Sequence, residues 1–253
     1  MSIKSIEYFI MQGFFISLLK LSFMIDYVFQ NKIREYALAN GANIVGFSNL
    51  DNTWDDIAKI WPVGNITTRN AMTVGIALNN EIVNQLLAHQ DDTIERYTRE
   101  CYVVVNEQLN SLTAKLAVFL QEKGYPSLAI PASDRAGSDG LLGTFSHKIA
   151  GRHAGLGWIG RHCMLITHQF GPRIRWGTVL TDAKFSNAEL VENKCGSCNA
   201  CVNICPVNAY TGKLFVETEP ISERFNTAKC RDHLSEVKIC GKCLAVCPWG
   251  RDN

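Results

Sequence analysis

The chain has 253 residues, 47% of them hydrophobic, and its 25 Lys plus Arg against 24 Asp plus Glu give a formal net charge of +1. That length buries a sizeable core and lies outside the size class of disulfide-stapled scaffolds. A net charge this small says almost nothing about partners, so any electrostatic signal must come from local distribution.

Taken in chain order, Tyr8 to Leu19 is an uncharged, largely apolar run, interrupted by Lys20 and closed by Asp26. It is too short to span a bilayer, and no small-x-small cleavage site follows, so the sequence predicts no stable membrane span and a cytoplasmic protein. Met24 offers an alternative start; otherwise residues 1–23 form an extra amphipathic helix on the body or on a partner subunit. From Ile25 onward Tyr27, Val28, Ile33, Tyr36 and Ala37 recur at helical period and stop at Gly41. Asn43–Phe47 and Met72–Leu78 read as buried strands. Ile94 to Lys123 reads as a long helix with Leu109, Leu112, Leu116, Phe119 and Leu120 on one face, ended by Gly124. Ser127–Ile130, Cys163–Thr167 and Arg175–Thr181 read as further strands. Strands alternating with helices predict an α/β (α+β) layer structure, with a sheet covered by helices. The expected division is an N-terminal extension over 1–23, a cofactor-binding domain over 24–190 and a cysteine-rich domain over 191–253.

Between Gly140 and Thr181 there is no Asp or Glu, but there are Lys148, Arg152, Arg161, Arg173, Arg175 and four histidines. This is a local basic field suited to an anion, or else a solvated basic face. Within it, Gly155-x-Gly157-x-x-Gly160 matches a dinucleotide fingerprint. It follows a predicted helix and leads into a strand, the reverse of the order a Rossmann turn needs, so NAD is not expected there. Three close glycines suit either a bulky ligand lying on bare backbone or a packing loop at a helix end. His147 and His153, like His162 and His168, are six residues apart, which is not the spacing of a helical two-histidine metal site.

The C-terminal quarter is the most specific part. Cys195, Cys198, Cys201 and Cys205-Pro206, then Cys230, then Cys240, Cys243 and Cys247-Pro248 form the ligand series of two [4Fe-4S] clusters. One tight loop wraps three thiolates around a cubane, while the cysteine before proline leaves the loop and serves the other cluster. This assigns Cys195, Cys198, Cys201 and Cys247 to one cluster, and Cys205, Cys230, Cys240 and Cys243 to the other. Zinc is the alternative, although the run holds more closely spaced thiolates than a tetrahedral zinc loop needs. Cys101 and Cys163 remain as small buried hydrophobes.

His147-Lys148, Ala154-Gly-Leu-Gly-Trp-Ile-Gly160, Leu165-Ile166, Leu180-Thr181-Asp182 and the cysteine series, in this order, resemble the epoxyqueuosine reductase family and its relatives, the reductive dehalogenases. The resemblance runs from about Ile25 to the C-terminus. It implies a nitroreductase-like sheet-and-helix domain that holds cobalamin, with a ferredoxin-like two-cluster module beside it as the electron feed. It further implies that Gly155, Leu156, Gly157, Trp158, Ile159 and Gly160, followed by Arg161, His162, Cys163 and Leu165, surround the corrinoid. A reduced ferredoxin or flavodoxin-type protein would be the donor. Two departures stand out. The family's VDTGP-like motif, which carries a proton-donating aspartate, is replaced by Ala132-Ser-Asp134-Arg-Ala-Gly-Ser-Asp139-Gly, leaving Asp134 and Asp139 as candidate donors or as ordinary turn residues. Family members that act on tRNA continue into helical repeats, whereas this sequence stops at Asn253, so a small-molecule or protein-bound substrate is expected in place of tRNA. Two alternatives are an electron-transfer protein that feeds a partner, and a flavin (FMN) reductase, since nitroreductase-like folds commonly hold FMN. The sequence is compatible with an oligomer.

Overall fold

The computed structural model describes residues 27–134, 142–186 and 188–251. The expected N-terminal extension and Asp139 therefore lie outside the described residues.

A helix over 27–39 (α1) leads into a four-stranded sheet. Its strands are β1 (Ile44–Asn49), β2 (Asn70–Ala77), β3 (Ser127–Ile130) and β6 (Ile174–Thr181), in the spatial order β1-β2-β6-β3. Every pairing is antiparallel, with Val45 opposite Val74, Val74 opposite Gly177 and Ala129 opposite Val179. The layered expectation holds, but the sheet belongs to the α+β class, because β6 returns between β2 and β3 instead of extending a parallel series. β2 and β6 are buried along most of their length, since helices cover both faces.

One cover is α5 (Val105–Glu122), which packs on β2, β3 and β6. Leu109, Leu112, Leu116 and Leu120 form its buried stripe, and Gly124 at φ +86° ends the run in a left-handed turn. The predicted long helix is continuous through α4 (Asp91–Arg96) and α5, but the two are joined by a π-helical stretch at Tyr97–Val104. The wider π turn buries Tyr97 and Cys101 while leaving Tyr102 at the rim, where the Arg175 guanidinium lies 4.2 Å from its ring centre. Two shorter helices, α2 (Trp54–Ile60) and α3 (Asn80–Gln85), flank the sheet. The other cover is α6 (His147–His153), started by the Ser146 hydroxyl, which accepts the Ile149 N–H. The strand expected at Cys163–Thr167 shrinks to β5 (Leu165–Ile166), which pairs only with β4 (Trp158–Ile159) in a separate hairpin.

The cysteine-rich segment is built on α7 (Ala200–Asn203), a 3-10 turn (Ile221–Glu223), α8 (Thr227–Val237) and α9 (Lys242–Ala245). It is fused to the sheet domain. Leu244 and Ala245 belong to the same buried cluster as Leu109, Val74 and Val179. Arg173, 1% exposed, donates to the Ala245 carbonyl at 3.1 Å and to Asn80 Oδ1 at 3.1 Å. On the opposite side Glu217 accepts from Thr53 Oγ1, Arg152 and His153 Nε2 at 2.6, 2.7 and 2.6 Å, clasping the segment between the cysteine groups onto α6 and α2. No helix among the described residues is long and apolar enough to cross a membrane.

Because Arg173 carries buried hydrogen bonds that no apolar residue replaces, Arg173→Met is expected to cost about 2–4 kcal/mol of stability, through unpaired acceptors and a loosened α9. Denaturant unfolding of anaerobic protein checks this; an unchanged midpoint would show that the docking rests on apolar contacts alone.

Candidate functional site

The cysteines gather in two sets. α7 carries Cys201 and α9 carries Cys243, and the two short helices pack against each other. Burial pushes the Cys201 thiol up to about 11, with Cys247, Cys195 and Cys198 as neighbours that push the same way. Burial likewise brings Cys247 to about 11, with Cys195 and Cys198 beside it. In the second set burial raises Cys230, next to Cys205 and Cys240, and takes Cys243 to about 12 next to Cys240 and Cys230. Cys205 and Cys247 each lie just past one helix and reach the set of the other. Among the described residues no three His, Cys, Asp or Glu converge closely enough for a single metal ion. Donors face the sulfurs: the Ala209 N–H reaches Cys205 Sγ at 3.3 Å, and the Tyr210 hydroxyl reaches Cys243 Sγ at 3.3 Å.

In front of the second set lies a cavity of two joined chambers, about 320 and 250 Å³ in volume. Trp61, Leu142, Ser146, Lys148, Met164 and Ile221 belong to both. The chamber toward the cysteines is walled by Tyr210, Phe215, Arg224 and Phe225 from the cysteine-rich segment and by Ile159, His162 and Cys163 from the sheet domain, so it exists only where the two are docked. Among the described residues no carboxylate lines it. Arg224, 4% exposed, stacks 4.5 Å from the Phe215 ring centre, and its Nε meets no hydrogen-bond partner among the described residues. Lys148 donates to the Cys163 carbonyl at 2.9 Å, and burial, reinforced by nearby Arg224, lowers its pKa. His162 accepts the Met164 N–H on Nδ1 at 3.2 Å, which leaves its proton on Nε2. That Nε2 is buried against the chamber without a partner among the described residues. Burial, with Lys148 nearby, holds His162 at about 4, so it is neutral near pH 7. Tyr210 is held well above its usual range, chiefly by burial, and keeps its proton.

The outer chamber holds Asp134, whose Oδ2 accepts the Thr144 N–H at 2.7 Å, together with His147 and Arg175. His147 bonds Thr178 Oγ1 at 2.9 Å and the Pro131 carbonyl at 3.0 Å, and burial holds it at about 4. Asp134 therefore faces the cavity.

Of the ten residues expected around a cofactor, Ile159, His162, Cys163 and Leu165 line the cavity. Gly155, Leu156, Gly157, Trp158, Gly160 and Arg161 are not among the residues that line it. At Gly157 a Cβ would overlap the Ile166 carbonyl oxygen, so this glycine lets two backbones of the β4–β5 hairpin meet. Trp158 is 1% exposed and packs with Ile166, Cys247 and Cys195 behind the first cysteine set, edge-on to Trp249 at 4.9 Å and His168 at 5.4 Å. Arg161 donates to the carbonyls of Gly212 and Gly196, holding the first cysteine loop in place. Tyr210, Phe215 and Arg224, by contrast, carry no sequence signal beyond lying between the cysteine groups. Cys163 is buried, as expected, and lines the chamber at φ +59°, a conformation that costs a non-glycine residue strain.

Residues 194–251 match the 4Fe-4S dicluster domain model. The epoxyqueuosine reductase of Bacillus anthracis is 30% identical over 113 residues, covering 42% of this chain and 30% of the relative. A crystal structure of selenomethionine-labelled epoxyqueuosine reductase superposes with a TM-score of 0.59 at 16% identity, covering 88% of this chain and 66% of that one. Over part of their length, epoxyqueuosine reductases are what the chain resembles. It spans about a third of the length of the curated relatives it matches first. A reductive dehalogenase, whose structure suggests a mechanism for B12-dependent dehalogenation, shares the fold with a TM-score of 0.60 at 20% identity, over 83% of this chain and 30% of that one.

The packing and burial of these residues make two predictions. Gly157→Ala should cost about 3 kcal/mol or leave the protein insoluble, because backbone cannot yield as a side chain can. Gly64→Ala, with open space around it, should cost only about 1 kcal/mol for its positive φ, and thermal melts of the pair test the contrast. Second, an unfolded histidine near 6.5 binds a proton that folded His162 and His147, at about 4, refuse until the pH is much lower. Stability should thus be full above about pH 6.5 and fall toward pH 4, by up to about 1.4 kcal/mol per pH unit for each histidine. Melts between about pH 7.5 and 5 should show a shallower loss in His162→Gln than in wild type; equal slopes would contradict it.

Proposed function

We propose that the protein is an iron–sulfur reductase that holds two [4Fe-4S] clusters on its eight gathered cysteines and a corrinoid in the adjoining cavity, and that it acts on a small-molecule or protein-bound substrate. The observation that carries this is the seam chamber, with cysteine sulfur one hydrogen bond behind its wall, cationic side chains around it and, among the described residues, no carboxylate on its own walls.

Cys195, Cys198, Cys201 and Cys247 would hold one cluster, and Cys205, Cys230, Cys240 and Cys243 the other. When bound, the clusters would supply single electrons, and the corrinoid a strongly nucleophilic reduced centre. Lys148, Arg224 and the His162 Nε2–H would meet an anionic group of the occupant, since buried cationic groups without counter-charges seek one. Asp134 is the side chain we assign to proton delivery in the outer chamber. Cys198 is exposed, so the first set reaches the surface, where a reduced ferredoxin or flavodoxin-type donor would dock. We place this activity in the cytoplasm. The replacement of the VDTGP-like motif supports a substrate other than the tRNA base.

Protein purified anaerobically should contain about eight iron atoms per chain and, after titration with hydroxocobalamin and desalting, retain about one corrinoid with a base-off cob(II)alamin EPR signal. Arg224→Met should weaken that retention at least about tenfold, as loss of one buried charge-assisted contact requires. Eight irons without corrinoid retention would defeat the reductase reading and leave an electron carrier for a partner enzyme.

A further inference from the structure

We propose that Tyr210 sets the redox potential of the cluster on Cys205, Cys230, Cys240 and Cys243, raising it through a phenol hydrogen bond to Cys243, and that this makes Tyr210 the positioning residue between that cluster and the cavity. The inference rests on the cluster reading above.

Three observations on different atoms converge. The Tyr210 hydroxyl donates to Cys243 Sγ at 3.3 Å. Its ring lines the chamber and stacks on Phe225, centre to centre 4.8 Å at 16°, and Phe225 lines the same chamber. The backbone N–H of the preceding Ala209 donates to Cys205 Sγ at 3.3 Å, so one dipeptide addresses two sulfurs of the same set. The isolated bridge between Tyr210 and Phe225 fixes this dipeptide, and the Asn226 N–H donates to the Ala209 carbonyl at 2.8 Å. The hydroxyl is thus aimed by backbone pairing and ring stacking, not by chance rotamer choice.

A donor on a cluster thiolate withdraws charge from the sulfur and favours the form with one more electron, so it raises the potential. The phenol is worth more here than on the surface because the site is buried and water does not compete. A side chain that touches both a thiolate and the cavity wall also lets an occupant act on the cluster. A ligand pressing on the Tyr210 ring would alter the hydroxyl's approach to Cys243.

The test is an anaerobic redox titration of reconstituted full-length protein followed by EPR, comparing wild type with Tyr210→Phe and Tyr210→Leu. Phenylalanine keeps the stack on Phe225 and removes only the donor. The expected result is a fall in the midpoint potential of one cluster in Tyr210→Phe, with the other unmoved and the iron content unchanged at about eight per chain. Leucine should lower the same potential and also weaken corrinoid retention, since it removes part of the chamber wall. Two unmoved potentials at full iron content would overturn the role of Tyr210 while the cluster reading stands. A wild-type protein that assembles only one cluster, with Cys243 outside its ligand set, would overturn both.

Discussion

Bringing four thiols to one point, twice, within a segment of about sixty residues is the constraint on which the rest of the molecule depends. Burial, reinforced by the neighbouring cysteines, already carries Cys201 and Cys247 to about 11 and Cys243 to about 12, so without a cation these groups stay protonated. Iron reverses that balance by supplying the positive charge that burial withholds, which couples assembly of the clusters to folding of the segment. The crossing of Cys205 and Cys247 makes the coupling mutual. Neither α7 nor α9 completes a set without the other, so both must be placed before either site closes.

Placing them is the work of the sheet domain. Arg173 reaches from the start of β6 to the carbonyl of Ala245, Arg161 ties Gly196 to Gly212, and Glu217 clasps α6. Trp158, on the β4–β5 hairpin, fills the space behind Cys247 and Cys195. These contacts join backbone carbonyls and a partly buried carboxylate to arginines, the side chain best suited to span two elements with several donors at once. The seam they leave is the cavity, which is why its walls alternate between the two parts of the chain.

How much of this was legible in the sequence follows from what each signal measures. The leucine stripe of α5 and the cysteine spacing report local geometry, so both read directly. The strands read well too, but their antiparallel order did not, because alternation with helices is equally consistent with parallel pairing until β6 is seen between β2 and β3. The π stretch at Tyr97–Val104 has no periodic signature distinct from a helix. The glycines of the AGLGWIG block were ambiguous for a physical reason: bare backbone serves a ligand or a neighbouring strand equally, and Gly157 meets Ile166. Tyr210, Phe215 and Arg224 were silent because a lone aromatic or arginine acquires meaning only when the fold closes around it.

The electrostatics of the seam give direction to the chemistry. Lys148 and Arg224 lie within range of each other at a chamber with no carboxylate among the described residues of its walls, and Arg224 adds to the burial that disfavours the charge on Lys148. An anionic occupant relieves that cost, and an electron added to the occupant relieves it further, because it puts new negative charge beside fixed cations in a medium where Coulomb energies are large. Neutral His162 contributes a donor without adding to the repulsion. A cationic ligand would add to that repulsion. On the proposed reading such a site would favour reduction of its occupant, and Tyr210, whose hydroxyl touches Cys243 and whose ring lines the chamber, would stand where electrons enter.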